Sequence, residues 1–131
     1  MNGNAKDLRT PLKRARGLGS AKDGTHHFIW QRITALATGL SGLWLLGMVL
    51  SLRTADYAVV HALVADPVNA TVLVAFLLGM FWHAKLGLQV IIEDYVHTPL
   101  TGAVAQLAVL FICALAAIAS VLAVLRIALG S

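Results

Sequence analysis

Three long apolar runs, two of them without any charged residue, constrain the fold of this chain more than any other feature. Residues 33–52 form an uncharged run of 20, and residues 100–125 also carry no charge. The run of residues 68–92 contains no ionisable group except His83 and Lys85. A helix needs about 20 apolar residues to cross a bilayer, and a helix satisfies its own backbone polar groups in lipid. The chain is therefore predicted to be an all-α integral membrane protein with three transmembrane helices.

Composition supports a membrane protein and leaves no room for a soluble domain. Of the 131 residues, 59% are hydrophobic and only 12% are charged, whereas soluble domains carry about 25% charged residues. Mean hydropathy is +0.81. We predict a basic arm over residues 1–27 and a three-helix anchor over residues 28–131, with spans at about 28–52, 68–92 and 100–129.

The basic residues are concentrated at the N-terminus. Seven of the ten Lys and Arg precede the first span, and the formal net charge is +4. By the positive-inside rule the N-terminus is cytoplasmic, and three spans then make the C-terminus periplasmic. An arm joined directly to a span is expected to contact lipid headgroups or a partner subunit, and no nucleic acid is expected. We predict a bacterial inner (cytoplasmic) membrane protein, with the mitochondrial inner membrane as the alternative.

The connections between the spans carry helix-start signals. Asp66 and Thr98 each precede a proline, a pattern typical of an N-cap followed by proline at the first helical position. Residues 53–67 are predicted to form a short helix on the outer surface, with Tyr57 and His61 on one face. Only a few residues then separate the second and third spans, so these two helices must be antiparallel neighbours.

Small residues in the first span predict close helix packing. Ala35 with Gly39 and Thr38 with Gly42 are small-xxx-small pairs, which let a neighbouring helix approach closely. Packing is the interpretation we adopt for both glycines.

His83 is the candidate functional residue of the second span. An ionisable residue at membrane depth is a functional hypothesis by default, because burying polarity in hydrocarbon is costly. Gly79 and Gly87 lie one turn either side of it on the same helix face, which predicts a strip without side chains. A flat, bulky ligand fits such a strip, with iron on the histidine nitrogen. A packing histidine and a proton-relay histidine remain the alternatives.

A haem at His83 requires a second polypeptide. Low-spin haem normally has two axial ligands, and His83 lies about 4–5 Å past the centre of its span. No other span offers a histidine or a methionine at matching depth, because Met48 lies near the opposite end of the first span and Met80 is on the same helix. The second ligand is therefore expected from a partner subunit.

The second span ends in Glu93, Asp94 and Tyr95. Carboxylates at a helix C-terminus oppose the macrodipole, so helix stability does not explain them. Glu93 is interpreted as a solvated interfacial group, whereas Asp94 lies about 20° from the face of His83. Tyr95 is either an aromatic-belt residue or a donor to a quinone carbonyl with Asp94 beside it. A quinone dissolves in lipid but takes its protons from water, and this boundary meets both conditions.

His26 and Arg32 lie at the same predicted side of the membrane as this boundary. Arg32 is a candidate to pair with haem propionates, and snorkelling to lipid phosphates is the alternative. Lys85 lies about 200° round the helix from His83, so we expect it to snorkel or to contact a partner.

Two motifs in this chain resemble a known family. His83-Ala84-Lys85-Leu86-Gly87-Leu88-Gln89-Val90, followed by Glu93-Asp94-Tyr95, resembles the signature of the small membrane-anchor (D) subunits of succinate dehydrogenase, respiratory complex II. The stretch Gly24-Thr25-His26-His27-Phe28-Ile29-Trp30-Gln31-Arg32 is similar to the N-terminal motif of that family. The length and the three-span plan agree as well.

The resemblance implies specific roles. His83 would be one axial ligand of haem b, with the other from a sister haem-ligating membrane-anchor subunit. Tyr95 would bind ubiquinone with Asp94 in the same network, and His26 and Arg32 would lie near the haem propionates or the quinone pocket. The family further implies an iron–sulfur subunit and a flavoprotein subunit as partners, so that electrons pass from succinate to quinone. The alternatives are the anchor of a quinol:fumarate reductase and a haem-free structural membrane subunit.

Overall fold

The computed structural model of the chain describes residues 21–53 and 56–130, with side chains from residue 25 onward. Its described elements are all helices: α1 (Ala21–Ser51), α2 (Tyr57–Ala65), α3 (Pro67–Tyr95) and α4 (Pro99–Ala128). The described residues up to Trp30 belong to one compact unit, and those from Gln31 onward belong to a second. The contacts between helices given below all lie within the second unit.

Three of the helices are long and apolar enough to cross a membrane. The candidate spans are residues 25–51, 67–95 and 99–128, of 27, 29 and 30 residues. At about 1.5 Å per residue, each exceeds the ~30 Å hydrocarbon core of a bilayer. The predicted all-α fold with three transmembrane helices is confirmed.

The first helix begins earlier than the sequence pattern indicates. α1 starts at Ala21, so residues 21–27, which the pattern assigns to the arm, are helical. Gly24 does not interrupt the helix, because a glycine inside a helix costs only about 1 kcal/mol relative to alanine. The rest of the predicted arm, residues 1–20, lies outside the described residues.

The two predicted helix starts differ in their chemistry. Asp66 caps α3, since its Oδ1 accepts hydrogen bonds from the backbone N–H groups of Val68 (3.1 Å) and Asn69 (3.0 Å). Thr98 occupies the N-cap position of α4, but its side chain makes no capping hydrogen bond. Pro99 at the first helical position, rather than the Thr98 hydroxyl, therefore marks the start of α4.

The short helix α2 lies where the sequence predicted it and packs against α3 and α4. Tyr57 and His61 share one face, with their ring centroids 5.6 Å apart. Asn69 holds three helices together: its Nδ2 donates to the carbonyl of Leu63 (3.0 Å), and its Oδ1 accepts from Trp44 Nε1 (3.1 Å). One amide thus links α1 and the end of α2 to the start of α3.

α1 and α3 run antiparallel and meet through small residues. Thr38 lies against Gly79, where an added Cβ would be 3.0 Å from the threonine Oγ1. Gly42 lies against the Phe76 ring, 3.4 Å from an added Cβ. The packing prediction is therefore confirmed for Gly42. At Gly39 an added Cβ would meet nothing within 4 Å, because α1 turns this residue away from α3, and its packing against another helix stays a prediction.

Little of the described chain is buried. Thr34, Met48, Ala70 and Leu86 are buried, whereas large apolar side chains such as Phe111 are exposed along all three spans. A soluble domain with so little core would not be stable. These faces are suited to lipid or to other membrane helices.

Candidate functional site

His83 is half-buried on the face of α3 that meets α1. Its Nδ1 lies 3.1 Å from Thr34 Oγ1, and the same hydroxyl is 3.2 Å from the backbone carbonyl of Gln31. Within the described part of the chain, His83 Nε2 has no hydrogen-bond partner. One ring nitrogen is therefore held by the protein, and the other is available to a ligand.

The two glycines that flank His83 have different surroundings. An added Cβ at Gly87 would meet nothing within 4 Å, whereas one at Gly79 would lie 3.0 Å from Thr38 Oγ1 and 3.7 Å from Ala37 Cβ. The predicted empty strip is thus correct on the Gly87 side and wrong on the Gly79 side. Gly79 is small because α1 packs against it, and the open space lies on the C-terminal side of the histidine.

Unpaired polar atoms lie along the same face of α1. Gln31 Oε1 and Thr38 Oγ1 are buried and have no hydrogen-bond partner among the described residues. Continuing the antiparallel register that pairs Thr34 with His83 places Gln31 opposite Leu86. Buried polar atoms without partners are uncommon and indicate a missing ligand, water or partner chain. The unpaired polar atoms of α1 and the open space beside Gly87 together fit a ligand that has a flat apolar face and polar substituents.

Asp94 and Tyr95 lie at the C-terminal end of α3, away from His83. Both are exposed, Tyr95 to 77%, and neither side chain makes a hydrogen bond or ring contact with another residue that the structure describes. At about 1.5 Å per residue, they are about 17–18 Å from His83 along the helix axis. The structure therefore does not bring them together with the histidine within this chain.

His26 and Arg32 are both exposed residues of α1. The ring of His26 lies 6.3 Å from that of Trp30, between centroids. His26 belongs to the unit that ends at Trp30, and Arg32 belongs to the unit that begins at Gln31.

A second polar cluster lies between α3 and α4. Lys85 Nζ donates to Gln89 Oε1 (2.9 Å), Gln89 Nε2 donates to Glu93 Oε1 (2.9 Å), and Gln106 Nε2 is 3.5 Å from the same Glu93 oxygen. Glu93 is exposed, as expected of a solvated group, and it also accepts hydrogen bonds within this cluster, which the sequence pattern did not predict. That Lys85 snorkels or contacts a partner stays a prediction, and within this chain its Nζ is paired with Gln89. A cleft of about 330 Å³ borders the cluster and is lined by Lys85, Gln89, Ala103, Gln106, Leu107, Val109 and Leu110.

Thr34 and Gln31 are not among the predicted site residues, although the sequence carries a signal for them. Gln31, Thr34 and Thr38 recur at intervals of three and four residues in an otherwise apolar span, which places them on one helix face. Polar side chains on one face of a transmembrane helix indicate a polar neighbour. Thr38 was interpreted as a small packing residue, so its place in a polar face with Gln31 and Thr34 was not predicted.

Three helices that are long and apolar enough to span a membrane, with largely exposed apolar faces, define a multi-pass membrane protein. A sequence profile described as succinate dehydrogenase/fumarate reductase transmembrane subunit matches residues 6–123. The chain belongs to this family.

The names of curated relatives support membership of this family. The chain is similar to the succinate dehydrogenase hydrophobic membrane anchor subunit of Rickettsia bellii, with 39% identity over 90 residues that cover 69% of this chain and 72% of the relative. The subunit of the same name from Rickettsia conorii is 32% identical over 91 residues, covering 69% and 72%. The one from Rickettsia typhi is 26% identical over 91 residues, covering 70% and 73%.

Proposed function

We propose that this chain is a membrane-anchor subunit of succinate:ubiquinone oxidoreductase in a bacterial inner membrane. The proposal is supported by the family and by relatives that carry the name of the succinate dehydrogenase anchor. The chain would bind a sister haem-ligating anchor subunit within the bilayer, and an iron–sulfur subunit joined to a flavoprotein subunit at the membrane surface. The exposed apolar faces of the spans support the first of these contacts.

His83 is proposed as one axial ligand of haem b, and the arrangement of its two ring nitrogens carries this proposal. Nδ1 is held by Thr34, whereas Nε2 has no partner in the described part of the chain. Neutral imidazole nitrogen is a common ligand of haem iron. Gly87 leaves open space beside the ring, and the sister subunit would supply the second ligand. When bound, the haem would accept and release single electrons.

The haem proposal is tested by replacing His83 with alanine in the intact complex. We expect His83→Ala to abolish or strongly alter the Soret and α bands of the reduced complex, because half of the iron ligation is lost. The matched control is His61→Ala, which removes a half-buried histidine whose ring contacts Tyr57. An unchanged haem spectrum in His83→Ala, with the complex assembled, would support the haem-free structural alternative.

Tyr95 and Asp94 are proposed as contributors to the quinone-reduction site. The exposure of both residues at one end of α3 supports this role, because each is open to a ligand or a partner subunit. A phenol donates a hydrogen bond to a quinone carbonyl, and a carboxylate exchanges protons with water. Reduction of a quinone to a quinol takes two electrons and two protons. His26 and Arg32, also exposed, are proposed to lie at the haem propionates or at the quinone pocket in the assembled complex.

The quinone assignment is tested with Tyr95→Phe. Loss of one hydrogen bond of about 1–1.5 kcal/mol is expected to lower the rate of succinate-dependent quinone reduction about 5- to 12-fold. Succinate oxidation by an artificial acceptor should be unchanged, since that reaction bypasses the anchor. Tyr57→Phe is the matched control, because Tyr57 is exposed to a similar degree, 78%. Equal rates of quinone reduction in Tyr95→Phe and wild type would contradict the assignment of Tyr95 to the quinone site.

The physiological direction is a separate question, because the family includes fumarate reductase subunits. The curated relatives carry the name of succinate dehydrogenase, and this favours succinate oxidation. Relative rates of succinate oxidation and fumarate reduction with the bound native quinone measure the direction. A faster fumarate reduction with a low-potential quinol would assign the chain to a quinol:fumarate reductase.

A further inference from the structure

We propose that Thr34 is a positioning residue that fixes His83 in the tautomer with hydrogen on Nδ1, so that Nε2 offers its lone pair to the haem iron. The inference rests on the proposed haem function of His83 and adds a residue on a different helix. Thr34 is 6% exposed, less than any other polar residue that the structure describes. Its position is thus shielded from water and from lipid headgroups.

The tautomer follows from counting hydrogens. A threonine hydroxyl has one hydrogen and two lone pairs. The backbone carbonyl of Gln31, 3.2 Å from Thr34 Oγ1, can only accept, and a helical threonine ordinarily donates to a carbonyl of its own preceding turn. The hydroxyl hydrogen is therefore directed to Gln31. The contact of 3.1 Å between Thr34 Oγ1 and His83 Nδ1 is then an Nδ1–H donating to the hydroxyl oxygen.

This tautomer is the one that iron ligation needs at Nε2. Histidine ligands of metals almost always donate their second ring N–H to an acceptor, which orients the ring and raises the basicity of the ligand nitrogen. The hydroxyl of Thr34 is the acceptor that the structure gives His83. A more basic ligand stabilises ferric over ferrous iron, so this hydrogen bond is expected to lower the reduction potential of the haem.

The test compares three variants in the purified intact complex. Thr34→Val keeps the side-chain shape and removes the hydroxyl, and Thr34→Ala removes it without a branched methyl group. Thr34→Ser keeps the hydroxyl and serves as the matched control. We expect Thr34→Val and Thr34→Ala to shift the midpoint potential of the haem upward and to alter its ferric low-spin EPR g values. Thr34→Ser should stay close to wild type in both measurements.

The readouts separate this proposal from a structural role and from the haem assignment itself. Wild-type potential and g values in Thr34→Val would overturn the proposal for Thr34. If both hydroxyl-free variants fail to assemble while His83→Ala assembles, Thr34 serves packing and the proposal is overturned. If His83→Ala keeps the wild-type haem spectrum, the proposed haem function and the Thr34 proposal are both overturned. If His83→Ala loses the haem while Thr34→Val leaves the midpoint potential unchanged, only the Thr34 proposal is overturned.

Discussion

At the residue scale, the environment of His83 differs from those of His61 and His26. His61 contacts a tyrosine ring and His26 contacts a tryptophan ring, which are ordinary packing arrangements. His83 instead pairs with a buried threonine through one nitrogen and borders open space at Gly87. Polar side chains within membrane spans are usually hydrogen-bonded or take part in function. In His83, one ring nitrogen is hydrogen-bonded and the other is available to a ligand.

Gly87 provides a test of that open space. If a porphyrin occupies this space, the added side chain of Gly87→Val would clash with it. The clash is expected to weaken the free energy of haem binding by about 1–3 kcal/mol, which lowers haem affinity about 5- to 150-fold. Haem content per complex, measured as the pyridine haemochrome, checks this expectation. Gly47→Val is the matched control, because an added Cβ at Gly47 also meets nothing within 4 Å. Equal haem content in the two variants would mean that the space beside His83 is not used by the haem.

At the element scale, α3 carries polar side chains at its start, middle and end. Its start is capped by Asp66, its middle presents His83 to α1, and its end carries the cluster in which Lys85, Gln89 and Glu93 are hydrogen-bonded in turn. These three residues are four apart, so they lie one above another on one face. The helix therefore separates two polar faces, one directed to α1 and one to α4.

The two N-caps give a prediction about helix stability. Asp66→Ala removes an oxygen that accepts two backbone N–H groups, and we expect it to lower the free energy of unfolding by about 1 kcal/mol. Thr98→Ala is the control at an equivalent position followed by proline, and it should have little effect because the hydroxyl makes no capping bond. The thermal stabilities of the two purified variant complexes measure the difference. A loss of stability in Thr98→Ala as large as that in Asp66→Ala would contradict the assignment of the caps.

At the scale of the whole molecule, the described chain has a small core and large apolar faces. Leu86, Ala70 and Met48 are buried, while the outward faces of α1, α3 and α4 remain exposed. Membrane helices associate through close packing and polar contacts rather than through a hydrophobic drive. Gly39, which the sequence analysis assigned to packing, lies on such an exposed face and is free of contacts within this chain.

The orientation of the whole chain is also testable. Because seven of the ten basic residues precede the first span, the N-terminus is expected in the cytoplasm and the C-terminus in the periplasm. Alkaline phosphatase, which is active only in the periplasm, should therefore be active when fused after the last residue and inactive when fused before the first. Activity in both fusions or in neither would contradict three spans, and the reverse pattern would contradict the orientation.

The sequence by itself determined the helical membrane fold, because apolar runs of about 20 residues have few other structures available in lipid. It also singled out His83, since an ionisable side chain inside such a run is conspicuous. Tertiary structure alone decided which neighbours that histidine has. The pairing of Thr34 with His83, the closed side at Gly79 and the open side at Gly87 depend on how α1 is rotated against α3. Helix rotation is set by packing between residues far apart in the chain, and a one-dimensional pattern does not contain it.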